Sequence, residues 1–400
     1  MDLKNKHVIV LGAGRSGRAA AALALREGAA VSVHDSASEI TGFSDEIKLC
    51  PHADIQTGKS SSCDVLVLSP GIDGETDFVR AYAENAGELI GEVELASRFY
   101  HGRIVAITGT NGKTTTTELV QNILSFNGIS CLACGNYGVP FSEVVLLDEP
   151  PATVALEVSS FQLETISDFH PDVVIWLNFS ADHMDRYPTL EAYKNAKLRV
   201  FENLTEENYV VVRAGEDIGE QKAQLATFST EVAADYYLEK GCITNEGELI
   251  IDLAMTDLQG LHNAENAMAA YAACKPFGID AAAASEALSE CSPPLHRCEL
   301  VRSLDGVEYI NDSKATNLHA LDSALRSQGR PIVLIAGGKQ KGLDYSDLLT
   351  RLKETTKAVV VLGEIASELK STFAPLADSV PVTEVGTCLL YTSPSPRDRG

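Results

Sequence analysis

The sequence predicts an α/β protein of three domains, each built on a mainly parallel sheet flanked by helices. Three observations lead there. Short apolar runs alternate with alanine-rich helical stretches along nearly the whole chain, the pattern of strands joined by crossover helices. Two glycine-rich loops each sit between such a run and a helix. Finally, 400 residues at roughly 150 per domain allow two or three domains, with cores large enough to need no disulfide or metal staple.

Taken in order, HVIVLGAG (7–14) reads as a strand entering a glycine turn and RSGRAAAALALREG (15–28) as a helix stopped at Gly28. AVSVHD (30–35) and CDVLVLSPG (63–71) are further strands. A fresh strand–loop–helix begins at RIVAITGTNGKTTTTELVQNILSFNG (103–128), too far on for the same small sheet, so a boundary is expected near Glu92–Glu94. TVALEVSS (153–160), DVVIWLNFS (172–180) and NYVVVRAG (208–215) continue the second sheet. Residues 262–290 read as two helices separated by Gly278, and SPPLHRCE (292–299) as a Pro-rich linker. GVEYINDS (306–313), PIVLIAGG (331–338) and AVVVLGE (358–364) supply a third unit. The expected domains are residues 1–93, 94–296 and 297–387. CLLYTSPSPRDRG (388–400), basic where the rest is acidic, is expected to be a non-native tail.

Composition narrows the function classes. Hydrophobic residues make up 45% and charged residues 22%, an ordinary globular balance. Asp plus Glu (56) exceeds Lys plus Arg (32), and the net charge of −24 argues against nucleic acid or an anionic membrane as partner. No apolar run reaches a membrane-spanning length, and MDLKNKHVIVLGAG lacks a signal core, so a cytoplasmic protein is expected. Nine cysteines are scattered without metal-like pairing, and Cys131 and Cys134 read as small residues of a buried strand.

Two motifs point to nucleotides. Gly12-Ala-Gly14-Arg-Ser-Gly17 lies between strand and helix, and Asp35 ends the next strand 23 residues after Gly12, where a ribose-binding carboxylate would stand. By itself this motif predicts nucleotide binding over a purely structural turn without saying which nucleotide, with NAD the default. Thr108-Gly109-Thr110-Asn111-Gly112-Lys113-Thr114-Thr115 also sits between strand and helix. Its amides would cradle phosphates, Lys113 would reach the β/γ oxygens and the Thr114 hydroxyl would hold Mg²⁺. Ile107 stands where the strict phosphate-loop spacing wants glycine. Glu157 and the cluster Asp182-His183-Met184-Asp185 follow strands, on the rim where open parallel sheets bind ligands, and are candidate Mg²⁺ ligands.

TGTNGKTT, EVSSFQLE, NFSADHMDRYP, EAYKNAKLRVFEN, HNAENAMAA, LHRCE and INDSKATN occur in this order. Together they resemble the Mur ligases, the ATP-dependent amide ligases of peptidoglycan precursor synthesis, and within them the branch that adds D-glutamate to UDP-N-acetylmuramoyl-L-alanine. The resemblance implies a Rossmann-like N-terminal domain that binds UDP, a P-loop-type central ATPase and a Rossmann-like C-terminal domain. It implies UDP-substrate contacts at Gly14, Arg15, Ser16, Asp35, Ser36, Ser69, Pro70, Gly71 and Asn136. ATP contacts fall on Gly109 to Thr115, Asn263, Asn266, Arg297 and Asp312. Metal ligands, with two Mg²⁺ ions expected, fall on Thr114, Glu157, His183 and Lys197, the last as a carbamate. Lys314 is implied as catalytic together with Lys113, Glu157, His183 and Lys197. Thr316 and Lys341 are implied to hold D-glutamate. A monomer is expected. The segment that closes over glutamate in the family is not found before residue 388, so a truncated, weakly active chain is expected, and a sibling Mur-type or folylpolyglutamate-type ligase or a non-catalytic nucleotide-binding remnant is the alternative.

Overall fold

The computed structural model describes residues 1–245, 247–258, 260–291, 296–340 and 343–386. It has a multidomain α/β architecture in which parallel sheets are flanked by helices. The chain gathers into two compact units. One comprises Met1–Phe179, Glu191–Thr256 and Ala264–Cys291; the other comprises Ser180–Leu190, Asp257–Asn263 and the described residues from 296 on.

The first sheet has strands β1 (His7–Leu11), β2 (Ala30–His34), β3 (Lys48–Cys50), β4 (Cys63–Leu68) and β5 (Ala86–Gly91), ordered β3-β2-β1-β4-β5 and all parallel. Helices α1 (Arg15–Arg26), α2 (Ile55–Ser60), α3 (Asp77–Ala83) and α4 (Glu92–Ser97) accompany it. The apolar runs 7–11 and 63–68 become strands because β1 and β4 are central and covered on both faces: Val8, Ile9, Val10, Leu66 and Val67 are buried.

The second sheet has nine strands: β6 (Arg103–Thr108), β7 (Cys131–Gly135), β8 (Thr153–Glu157), β9 (Val173–Trp176), β10 (Tyr209–Arg213), β11 (Gln224–Ser229), β12 (Tyr236–Glu239), β13 (Cys242–Asn245) and β14 (Glu248–Asp252). Their order is β14-β13-β12-β11-β10-β9-β6-β8-β7. Helices α5 (Lys113–Phe126), α6 (Phe141–Val145), α7 (Ser160–Leu163), α8 (Leu190–Leu198), α9 (Leu261–Cys274) and α10 (Ala281–Ser289) belong to this stretch of chain. The strands from β7 across to β12 pair in parallel, whereas β12, β13 and β14 pair antiparallel. The antiparallel extension was not read from the sequence. Its first turn, Lys240-Gly241, has both residues at positive φ (52° and 84°), the geometry that closes a tight hairpin.

The expected boundary near residue 93 falls on shared packing. One core runs from Leu3, Val8 and Leu23 through Phe141 and Val144 to Trp176 and Val210, so the first two sheets form a single unit.

In the second unit, β15 (Glu299–Leu304) and β16 (Val307–Asn311) form an antiparallel ribbon, and β17 (Ile332–Gly338), β18 (Thr356–Gly363) and β19 (Val382–Glu384) form a parallel sheet. Helices α11 (Leu318–Ser327), α12 (Leu349–Thr355) and α13 (Ala366–Thr372) accompany it. Val307–Asn311 thus pairs with Glu299–Leu304 instead of joining the parallel sheet. The turn between them is Asp305-Gly306, again at positive φ (51° and 77°). Lys341 and the tail at 388–400 lie outside the described residues.

Candidate active site

The first glycine loop opens a cleft of about 660 Å³ beyond the carboxyl ends of β1, β2 and β4. Gly14, Arg15, Ser16, Asp35, Ser36, Ser69, Pro70 and Gly71 all line it, together with Gly12, His34, Ile72 and Phe78. The three loop glycines do different things. Gly12 has φ +98°, and a Cβ there would meet Ser69 Oγ at 2.8 Å. A Cβ on Gly17 would overlap the Gly12 carbonyl. Gly14 has an ordinary φ of −69°, its Cβ would meet nothing within 4 Å, and it lines the cleft.

Asp35 braces the cleft floor. Ala13 N–H donates to Asp35 Oδ2 at 2.7 Å and Ala37 N–H to Oδ1 at 2.8 Å. His34 bonds Tyr82 through Nδ1 (3.0 Å to the hydroxyl) and Ser32 through Nε2 (3.2 Å). Burial, with the charges of His7 and Lys48, pulls the His34 imidazole down to about 4.

The second loop leaves β6 and enters α5. Gly109 (φ +148°) packs against Leu177, where a Cβ would approach Leu177 Cβ to 2.9 Å, and Gly112 (φ +85°) abuts Asn266. The N-cap of α5 is Gly112, which has no side chain to cap the helix, and the amino end of a helix is electropositive. Asn178 splints the loop. Its carbonyl accepts from Thr110 N (2.9 Å), its Oδ1 from Asn111 N (2.9 Å), and its amide donates to Asn111 O (3.2 Å). Lys113 Nζ donates to Gly109 O and Thr110 O, each at 3.0 Å, and buried Lys197 on α8 also donates to Gly109 O, at 2.9 Å. Two ammonium groups thus converge on one carbonyl.

Glu157 ends β8, the immediate neighbour of β6, and is 3% exposed. Its Oε2 accepts from the Thr114 hydroxyl at 2.9 Å and its Oε1 from the Asn136 amide at 3.0 Å. A hydroxyl and a carboxylate are hard oxygen donors. Mg²⁺ is usually held by one or two carboxylates plus substrate phosphates, so this pair beside a phosphate-sized loop fits it. Among the described residues no group of three His, Cys, Asp or Glu could hold a metal by itself. Thr115 is buried on α5, and Asn266 accepts from the Thr116 hydroxyl at 3.2 Å.

The remaining sequence-predicted residues fall in the second unit. His183 has φ +56°, and its N–H donates to Asp182 Oδ1 at 2.9 Å. Buried Asp182 also accepts from Asn317 at 3.2 Å. Asn263 is buried. Asp312 accepts from Cys298 N–H at 3.1 Å. Burial pushes its carboxyl above the usual range, with that bond and the Arg297 charge opposing. Burial lowers the His262 imidazole, and Arg297 adds to that. Lys314 N–H donates to His296 O at 3.3 Å, and Thr316 is exposed.

Sequence reasoning gave no role to Asn178, Asn317, His34, Ile72 or Phe78. Asn178 carried a usable signal: it is among the first polar residues after the apolar run of β9, the strand beside β6.

Residues 107–274 match the Mur ligase middle domain, and residues 296–387 match the Mur ligase glutamate ligase domain. The UDP-N-acetylmuramoylalanine–D-glutamate ligase of Trichlorobacter lovleyi is 38% identical over 94% of this chain and 88% of its own. Its counterpart from Geobacter metallireducens is also 38% identical, over 95% and 87%. The crystal structure of a UDP-N-acetylmuramate–alanine ligase from Thermotoga maritima shares the fold at a TM-score of 0.60 and 18% identity, covering 97% of this chain and 92% of that one. Matched domain by domain and along nearly its whole length, the chain belongs to the Mur ligase family.

Proposed function

We propose that the protein is an ATP-dependent ligase that joins D-glutamate to UDP-N-acetylmuramoyl-L-alanine in peptidoglycan precursor synthesis. The observation that carries the reading is the Thr114–Glu157–Asn136 group at the foot of the glycine loop, in the same unit as the first cleft. In this reading residues 1–93 are a Rossmann-like UDP-binding domain, 94–296 a P-loop-type ATPase and 297–387 a Rossmann-like domain for the amino acid. Relatives bearing that activity's name, at 38% identity, support it.

A carboxylate and an ammonium do not condense unaided in water, because the carboxylate oxygen is a poor leaving group. The L-alanyl carboxylate therefore attacks the γ-phosphorus of ATP, giving an acyl phosphate and ADP. The D-glutamate amine then attacks the acyl carbon and phosphate departs. The first step brings two anions together, so positioning and charge neutralisation do most of the catalysis. Lys113 exchanges its loop carbonyls for phosphate oxygens, and the amino end of α5 faces the same charge. Asn136 holds the sugar–lactyl part of the substrate. Asn263, Asn266, Arg297 and Asp312 hold ATP, Lys314 positions the reacting groups, and Thr316 and Lys341 hold the glutamate side chain.

Thr114, Glu157, His183 and Lys197 would hold magnesium, which when bound neutralises phosphate charge. For Lys197 the form with oxygen donors is a carbamate. Carbamylation removes one of the two positive charges that meet at Gly109 O and leaves an anion beside Lys113. Lys197→Ala should lose most activity and regain part of it in acetate or formate; full activity in the plain variant would overturn the assignment.

A cytoplasmic monomer is part of the same proposal. No helix among the described residues is long and apolar enough to cross a membrane. The test is phosphate release with UDP-N-acetylmuramoyl-L-alanine, ATP and a panel of amino acids. D-glutamate alone should support it. Release with a different amino acid only, or none at all, sinks the reading.

A further inference from the structure

Arg15 lines the first cleft, yet its guanidinium is held by the turn after β7 and by α6. Nη1 donates to Gly138 O at 2.6 Å, and Nη2 and Nε donate to the two Glu143 carboxylate oxygens at 3.0 and 3.3 Å. Gly138 belongs to the turn 135–139, closed by Gly135 N–H donating to Val139 O at 2.8 Å. Asn136, on the same turn, gives its backbone N–H to Glu157 O at 2.9 Å and its side-chain amide to Glu157 Oε1 at 3.0 Å. Thr114 occupies the other carboxylate oxygen. Polar contacts at both ends of the turn 135–139 therefore join the first cleft to the second loop, all inside one compact unit.

Building on the function proposed above, we propose that the Arg15–Glu143–Gly138 contact is a latch which a diphosphate in the first cleft opens, and that its opening is felt at Glu157 through Asn136. The latch is exchangeable. Its ion pair is about half exposed, 53% at Arg15 and 38% at Glu143, and such pairs are weak. A diphosphate offers more charge than one carboxylate, with paired oxygens that suit the guanidinium fork. Once Arg15 leaves Gly138 O, the turn loses its charged donor and the Asn136 amide withdraws from Glu157 Oε1. That oxygen then faces the ATP side without a competing donor. The UDP-substrate thus tightens ATP binding, and by linkage ATP tightens the UDP-substrate by the same factor.

Isothermal calorimetry on the full chain tests this, using UDP-N-acetylmuramoyl-L-alanine and a non-hydrolysable ATP analogue with magnesium. In the unmodified protein each ligand should tighten the other about two- to fivefold, the ceiling a half-exposed pair allows. Arg15→Leu should bring that factor to near one while the analogue alone still binds. Glu143→Gln should bind the UDP-substrate alone about two- to threefold more tightly, because the competing carboxylate is gone. An unchanged coupling factor in Arg15→Leu, or unchanged UDP-substrate affinity in Glu143→Gln, overturns the latch. If the unmodified protein binds no UDP-substrate at all, the reading of the first cleft fails instead, and the latch with it.

Discussion

Gly14 has no neighbour that forbids a side chain, whereas Gly12 and Gly17 do. Gly14→Ala should therefore change folding stability by less than about 1 kcal/mol, yet raise KM for the UDP-substrate tenfold or more. Thermal melts beside kinetics check both halves. Thr114→Ala removes the donor to Glu157 and should lower kcat/KM at least about a hundredfold, read in the phosphate-release assay. His34 sets a pH dependence of its own. The folded protein keeps the imidazole neutral down to about pH 4, while an unfolded histidine takes up a proton below about 6.5. Between those values the unfolded state binds more protons, so stability falls as pH falls, by roughly 2 kcal/mol at pH 5. Urea titrations at pH 7 and 5 should show that slope, reduced in His34→Gln. The residues legible in the sequence were those inside glycine loops and the carboxylates that close strands, such as Asp35 and Glu157, because a strand–turn–helix succession marks its own rim. His34, Ile72 and Phe78 reach the same cleft through β2 and the chain after β4, and no local pattern marks them.

Among the elements, α4 shows how one buried carboxylate fixes a connection. Glu94 is fully buried and accepts N–H groups of Ser167, Asp168 and Phe169 at 2.9 to 3.0 Å, while Arg98 donates to it at 2.6 Å. Glu94→Ala strands three amides, while Arg98 keeps both oxygens of Glu88, and should cost about 1 to 3 kcal/mol, measured by denaturant unfolding. The parallel strands were legible because strands covered on both faces must be continuously apolar, as VIVL at 8–11 and VVIW at 173–176 are. The antiparallel hairpins were not, since their strands are short and partly solvated. Yet Asp305-Gly306 and Lys240-Gly241 sit at the turns with positive φ, and Asp-Gly between apolar runs is a usable hairpin signal.

For the whole molecule, the net charge of −24 opposes three anionic substrates. If the overall field governs encounter, the association rate constant for the UDP-substrate should rise as salt is added toward about 0.15 M, where screening reaches about 8 Å. Stopped-flow binding measures it, and a falling rate would show that local cations such as Arg15 set the field instead. The sequence marked the succession of sheets, but not that the first two share one interior. That interior runs from Leu3 to Val210 and beyond without a break at residue 93. The first cleft and the second glycine loop should consequently melt as one cooperative block. A ligand filling either one must raise the melting temperature of both, so thermal shift alone will report that a nucleotide has bound without saying where.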